Sequence, residues 1–190
     1  MFKKFIRRYY QRIRIFIFDS LGDDTTIIGT PDKLQPVLIS GKGKVFFGEN
    51  VKLGFYPSPY FFDGSIHLEA RDESASIRFG NNISCNNNLK IVCDKTQISI
   101  GDKVLIGTNV NIFDSDFHAI SPGNRKSGNH KTGEVIIKEN VFIGSNVTIL
   151  KAVTIGENSI IANGSVVTKS FPKNVIIGGN PAIIISNIEE

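Results

Sequence analysis

The sequence predicts an all-β fold: a parallel β-helix of short strands stacked as a triangular prism, with an N-terminal amphipathic helix and a protruding loop. Three observations predict it. Aliphatic residues recur at a fixed period of six, the period breaks after residue 113, and the first 18 residues form a basic segment with an apolar stripe.

The period is clearest late in the chain, where Ile137, Ile143, Ile149, Ile155, Ile161 and Val167 follow one another without interruption. Four residues after each of the first five comes a small or β-branched residue: Val141, Val147, Val153, Ser159 and Ser165. The same phase is present earlier in Ile100-Gly101, Ile106-Gly107 and Ile112, and more weakly in Phe79-Gly80, Cys85 and Ile91. Phe47-Gly48 and Leu53-Gly54 mark a first coil. A short fixed repeat takes priority over local propensity. In an α-helix a period of six turns the apolar residue to a new side each time, and alternating strands need a period of two. Three flat strands per coil satisfy it. Each leading aliphatic then points inward and stacks on the residue one coil later, so Ile137 lies under Ile155 and Ile143 under Ile161. Successive coils sit ~4.8 Å apart. Gly144, Asn146, Asn158 and Gly164 suit the turns, where positive φ is needed.

The first segment carries Lys3, Lys4, Arg7, Arg8, Arg12 and Arg14 and no acidic residue before Asp19. Removing these six from the formal charge of +4 leaves the rest of the chain at −2, so the basic balance belongs to this arm. A basic face on the folded body, as nucleic-acid binding requires, is therefore not expected. Phe2, Phe5, Ile6, Tyr9, Ile13, Phe16 and Ile17 recur at helical spacing, with most of the basic residues on the other side. Its longest apolar run is too short for a signal peptide. Two readings stand: a helix docked on the body or a neighbouring subunit, or an interfacial helix in peripheral contact with a membrane through residues 2–17.

A chain of 190 residues suits one domain with an appendage. The expected division is an arm over 1–22, a β-helix over 23–185 with a loop insertion over 114–133, and a tail over 186–190. No run approaches the ~20 apolar residues of a membrane span. Two cysteines, Cys85 and Cys93, without metal-type pairs fit a reducing, cytoplasmic setting, with the inner face of the membrane as the variant that the arm suggests.

Between the repeat blocks lies Phe113-Asp114-Ser115-Asp116-Phe117-His118-Ala119-Ile120 and a polar stretch to Gly133. Irregular insertions on a rigid scaffold are where function concentrates. With the repeats over roughly 40–185, this arrangement resembles the hexapeptide-repeat acyltransferases, in particular the galactoside and maltose acetyltransferase group. The resemblance implies a left-handed coil, a homotrimer with active sites between adjacent subunits, and acetyl-CoA as co-substrate with no metal. A histidine at the position of His118 is then the catalytic base. A neutral imidazole can take the proton of an attacking hydroxyl and return one to the departing thiolate. Asp116 or Asp114, or a carbonyl, would hold its other nitrogen.

The same resemblance makes Ser145, in Ile143-Gly144-Ser145-Asn146-Val147, an acetyl-CoA contact. It does likewise for Asn163, Thr168 and Lys169, in the segment Ile161–Lys169, and makes Asn86 and Asp94 contacts to a saccharide acceptor. Gly178-Gly179-Asn180-Pro181-Ala182 fits the family's closing motif. The family usually continues with Lys or Arg where this chain has Ile183, which shifts phosphate binding toward Lys169 or Lys173. Tyr56-Pro57-Ser58-Pro59-Tyr60-Phe61-Phe62 could wall a carbohydrate site by stacking, or pack in the core or a trimer contact.

The resulting expectation is an acetyl-CoA-dependent O-acetyltransferase acting by direct transfer on a sugar hydroxyl of a surface polysaccharide or lipid-linked glycan. The alternatives are N-acetylation of an amino or nucleotide sugar, acetylation of an antibiotic, and a non-catalytic structural β-helix. The γ-type carbonic anhydrases share this prism and bind zinc through three histidines. This chain has His67, His118 and His130, but without the close pair such a site needs. His67 is expected to be structural and His130 solvated.

Overall fold

The computed structural model describes residues 2–189. After an α-helix over Phe2–Ser20, the chain winds through three parallel sheets that form the faces of a prism. Face I stacks Thr26–Ile28, Lys44–Phe47, Ser76–Phe79, Gln97–Ile100, Val135–Ile137 and Thr154–Ile155. Face II begins with Asp32–Lys33 and runs through Lys52–Leu53, Ser84–Cys85, Leu105–Ile106, Phe142–Ile143 and Ile160–Ile161 to Val175–Gly179. Face III stacks Val37–Gly41, Ile66–Ala70, Lys90–Cys93, Asn111–Phe113, Thr148–Ile149 and Val166–Val167. Each turn of the coil visits I, II and III in order, so every functional side chain falls on one of three edges.

The stacking is the one the period dictates. Ile137 pairs with Ile155 and Ile143 with Ile161, and the inward residues of all three faces merge into one buried core. Ser159 and Ser165, inward but polar, donate to the Pro172 and Ala162 carbonyls at 3.1 and 2.6 Å, so neither buried hydroxyl is orphaned. The chain closes by an antiparallel strand, Ala182–Asn187, laid on Val175–Gly179. This strand runs two residues into the segment assigned from sequence to a tail.

The turn residues divide by physical role. Asn146, Asn158 and Gly164 have φ of 60°, 59° and 74°, as their types suggest. Gly144 does not. It is there for space, since a Cβ would lie 2.8 Å from both the Asn163 amide nitrogen and the Ile161 carbonyl oxygen of the next coil. The left-handed asparagines also bond to one another from coil to coil. Asn88 reaches Asn109 and Asn109 reaches Asn146, each at 2.9 Å, along the edge between faces II and III. On the I/II edge, Asn140, Asn158 and Asn174 form a similar series at 3.0 Å.

The N-terminal helix docks on the body by the side that carries Gln11, Arg14, Ile15 and Phe18. Gln11 Nε2 donates to the Leu34 and Phe61 carbonyls at 2.9 and 3.0 Å, and the Arg14 guanidinium donates to those of Phe61 and Gly64. Arg7 donates to the Tyr56 hydroxyl at 2.8 Å, and Lys33 pairs with Asp19 at 2.6 Å. These partners lie in the aromatic loop of residues 54–65 and the first coil. That loop is itself held by two buried amides. Asn87 donates to the Phe55 and Pro59 carbonyls, while Gln35 donates to the Tyr60 carbonyl and accepts from the Asn88 amide.

Candidate active site

The coil is interrupted once after face III, between Phe113 and Val135, and Asp114 shows how the break is tolerated. Its carboxylate is fully buried and accepts the backbone N–H groups of Asp94, Lys95 and Thr96 at 2.6, 3.2 and 3.0 Å, with the Thr96 hydroxyl at 2.9 Å. The loop root is thereby pinned to the turn of the coil below. Ser115 bridges to Thr132 across the base of the loop, and Asp116 Oδ1 pairs with Lys151 Nζ at 2.6 Å. Asp114, one of the two carboxylates expected to orient His118, is thus occupied at the loop root, while Asp116 Oδ2 has no hydrogen-bond partner among the described residues.

His118 stands exposed on this scaffold. Its backbone N–H donates to the Asp116 carbonyl at 2.7 Å, and its Nδ1 lies 3.2 Å from the Arg125 carbonyl oxygen. A carbonyl can only accept, so this contact requires the proton on Nδ1, and in the neutral ring Nε2 is then the acceptor. Of the candidates Asp116, Asp114 and a carbonyl, the group beside Nδ1 here is the Arg125 carbonyl.

Beneath it, Asp94 is buried as part of a cluster that the sequence did not suggest. His130 Nε2 lies 2.6 Å from Asp94 Oδ2, with the two side chains 9% and 5% exposed. This corrects the expectation that His130 is solvated: the loop folds back on the prism and carries it inward. Its Nδ1 has no hydrogen-bond partner among the described residues. Arg71 approaches Asp94 at 3.5 Å, bonds Glu69 at 2.8 Å and lies under the Phe117 ring, its Cζ 5.1 Å from the centroid. The Arg71 guanidinium holds the Glu69 carboxyl below the ordinary carboxylate range. His67 lies 3.5 Å from Glu69, as a structural residue would.

The remaining candidates lie elsewhere. Asn86, Ser145 and Asn163 share the II/III edge. There Ser145 N–H donates to Asn163 Oδ1 at 2.7 Å, and the Ser145 hydroxyl meets the Thr108 amide and hydroxyl at 3.1 and 3.0 Å. Asn86 opens onto a groove of about 520 Å³ on face II, walled by Leu34, Phe55, Tyr56, Phe61 and Phe142. Thr168 and Lys169 are exposed on the III/I edge, on the side of His118 and Asp94. The width of face III, roughly 20 Å of extended chain, separates the two groups. One prism therefore does not bring Asn86 together with Asp94, nor Ser145 with His118.

Neither cysteine offers a nucleophile. Burial lifts the thiols of Cys85 and Cys93 to about 12, and for Cys93 the Asp114 carboxylate adds to the effect. Among the described residues no group of three or more His, Cys, Asp or Glu side chains could hold a metal ion.

Residues 134–169 match the family described as bacterial transferase hexapeptide (six repeats). The match places a hexapeptide-repeat segment of the bacterial transferase type in this chain. It is 42% identical over 115 residues to a galactoside O-acetyltransferase of Lactococcus lactis, covering 60% of this chain and 55% of the relative. To a galactoside O-acetyltransferase of Escherichia coli it is 40% identical over 134 residues, covering 70% and 60%. The chain thus spans less than two thirds of the length of either of these relatives. Among solved structures, a galactoside acetyltransferase in complex with coenzyme A superposes with a TM-score of 0.57 at 29% identity, over 92% of this chain and 69% of that one. The polySia-specific acetyltransferase NeuO gives 0.68 at 25% identity, over 87% and 68%. The architecture is the left-handed parallel β-helix of these acetyltransferases.

Proposed function

We propose that this chain is an acetyl-CoA-dependent O-acetyltransferase. Its acceptor is a sugar hydroxyl of a surface polysaccharide or lipid-linked glycan, and its general base is His118. The observation that carries the reading is the contact of His118 Nδ1 with the Arg125 carbonyl at 3.2 Å. A neutral ring with Nδ1–H donated to the Arg125 carbonyl presents Nε2 as an acceptor within the loop that follows face III. The acceptor hydroxyl oxygen attacks the thioester carbonyl as its proton passes to His118 Nε2. The tetrahedral adduct collapses with cleavage of the C–S bond, and the same proton moves to the departing sulfur, leaving an acetyl ester and free CoA thiol. Two thiols held protonated by burial favour this direct transfer over an acyl-enzyme.

The split of candidates over two edges supports a homotrimer in which the His118 edge of one copy faces the Asn86 edge of the next. His118 and Asp94 would then meet Asn86, Ser145 and Asn163 across the boundary. Asn86 and Asp94 would contact the acceptor, with the aromatic loop beside it. Ser145, Asn163, Thr168 and Lys169 would line the acetyl-CoA path, and Lys169 would offer a point charge to its phosphates. Acetyl-CoA as co-substrate puts the reaction on the cytoplasmic side.

The test is acceptor-dependent thiol release from acetyl-CoA by wild type and His118→Ala over a panel of glycans, free saccharides and amino sugars. The reading expects release with hydroxyl acceptors that the substitution lowers by ~10²–10⁴. Release with amino sugars alone would replace it by N-acetylation, and absence of CoA binding would overturn it.

A further inference from the structure

We infer that the N-terminal helix is a docking surface for an anionic phospholipid membrane. The body takes one side of the helix, that of Gln11, Arg14, Ile15 and Phe18, and leaves the other outward. Gln11 and Arg14 are spent on backbone carbonyls of the first coil and the aromatic loop. Phe2, Phe5, Tyr9, Ile13 and Phe16 lie on the opposite side at i, i+3 and i+4 spacing, with Phe2, Phe5 and Phe16 76%, 68% and 73% exposed. A helix that needed this stripe for folding would bury it against the prism. This one is anchored by the hydrogen bonds of Gln11 and Arg14 and the half-buried Ile15 and Phe18, and the row from Phe2 to Phe16 is left outward.

Charge selects the occupant. Lys3, Lys4, Arg8 and Arg12 are exposed on the same helix, with no acidic residue before Asp19, while the rest of the chain carries a net −2 once the six basic residues of the arm are taken from +4. A second copy of this chain would bring a net-negative body but equally another cationic helix to the contact. An anionic lipid surface complements the basic residues and buries the aromatic rows at once. The described residues include no helix long and apolar enough to cross a membrane, so the helix would lie in the interface plane. This inference stands on the helix alone and is independent of the acetyl-transfer chemistry.

Co-sedimentation of the full chain with phosphatidylcholine vesicles, with and without about one-third phosphatidylglycerol, tests it. Binding is expected to the anionic vesicles only. It should weaken with salt, as the Debye length shortens, and drop about fivefold for each of Arg8→Gln and Arg12→Gln. Phe5→Ser/Phe16→Ser should lose at least tenfold in binding. The helical circular dichroism signal, the oligomer mass and turnover of a soluble acceptor should stay unchanged, since neither ring touches the body. Equal binding by this double variant, or no binding to anionic vesicles, overturns the inference. A fall in oligomer mass in the double variant also overturns it and assigns the stripe to a second copy.

Discussion

His130 Nε2 and Asp94 Oδ2 lie 2.6 Å apart in a pocket closed by the loop that carries His118. Their separation in sequence hides the relationship, yet it fixes the orientation of a carboxylate proposed to contact the acceptor. Losing a charge-assisted hydrogen bond of this kind costs about 1.5–3 kcal/mol. We predict that His130→Ala lowers kcat/KM for the acceptor by roughly 10–100-fold, mostly through a higher acceptor KM, with the KM for acetyl-CoA little changed. His130→Gln, which can still donate to Asp94, should recover part of the loss. Steady-state kinetics with each substrate varied in turn distinguishes this from general loop damage, which would depress kcat and both KM terms together.

Lys103 is the residue out of place in the I/II edge. It holds φ of 59° where the coils below and above use Asn82 and Asn140 at 57°. A left-handed conformation costs an ordinary L-residue about 1–2 kcal/mol, and asparagine tolerates it better. The exposed pair that Lys103 makes with Glu139 at 2.6 Å offsets little of this. Lys103→Asn should therefore raise the denaturant midpoint by the equivalent of about 0.5–1 kcal/mol, measured by urea unfolding with the m-value unchanged.

Cys85 and Cys93 should be silent to thiol reagents in the folded protein at pH 8, and both should react once it is unfolded. Burial raises both thiols from 9.0 to about 12. The unfolded chain therefore releases these protons first as pH rises. Their contribution to stability is complete below pH 9 and is lost as the pH climbs from 9 toward 12. Cys85→Ala/Cys93→Ala should show a shallower fall in stability between pH 9 and 11 than wild type. A native thiol that reacts readily would reopen the acyl-enzyme route.

The repeat made the fold legible because an inward position every six residues has only one periodic solution, and Ile143 stacks on Ile161 as that solution requires. His118 was legible because the period breaks around it. The Asp94–His130 pair was not, since a histidine in a polar loop carries no sign of folding back. Nor were the buried amides of Gln35 and Asn87, which hold the aromatic loop from turns that look like any asparagine-rich coil. The helix was legible in part. Its amphipathicity was plain, but which side meets the body depends on the carbonyls that the 54–65 loop happens to leave free.

The central claim is a site shared between copies, and mixed assemblies test it most directly. His118→Ala disables one edge and Asn86→Ala the other, so each variant alone should be nearly inactive. Co-expressed with different tags and purified through both, a mixed trimer has about one boundary in three at which the two intact edges face each other. The account predicts recovery of acetyl transfer to about that share of wild type, with no recovery when the two purified variants are combined without subunit exchange. Mixed assemblies as inactive as the parents would contradict it, because a site contained in one copy always carries a lesion.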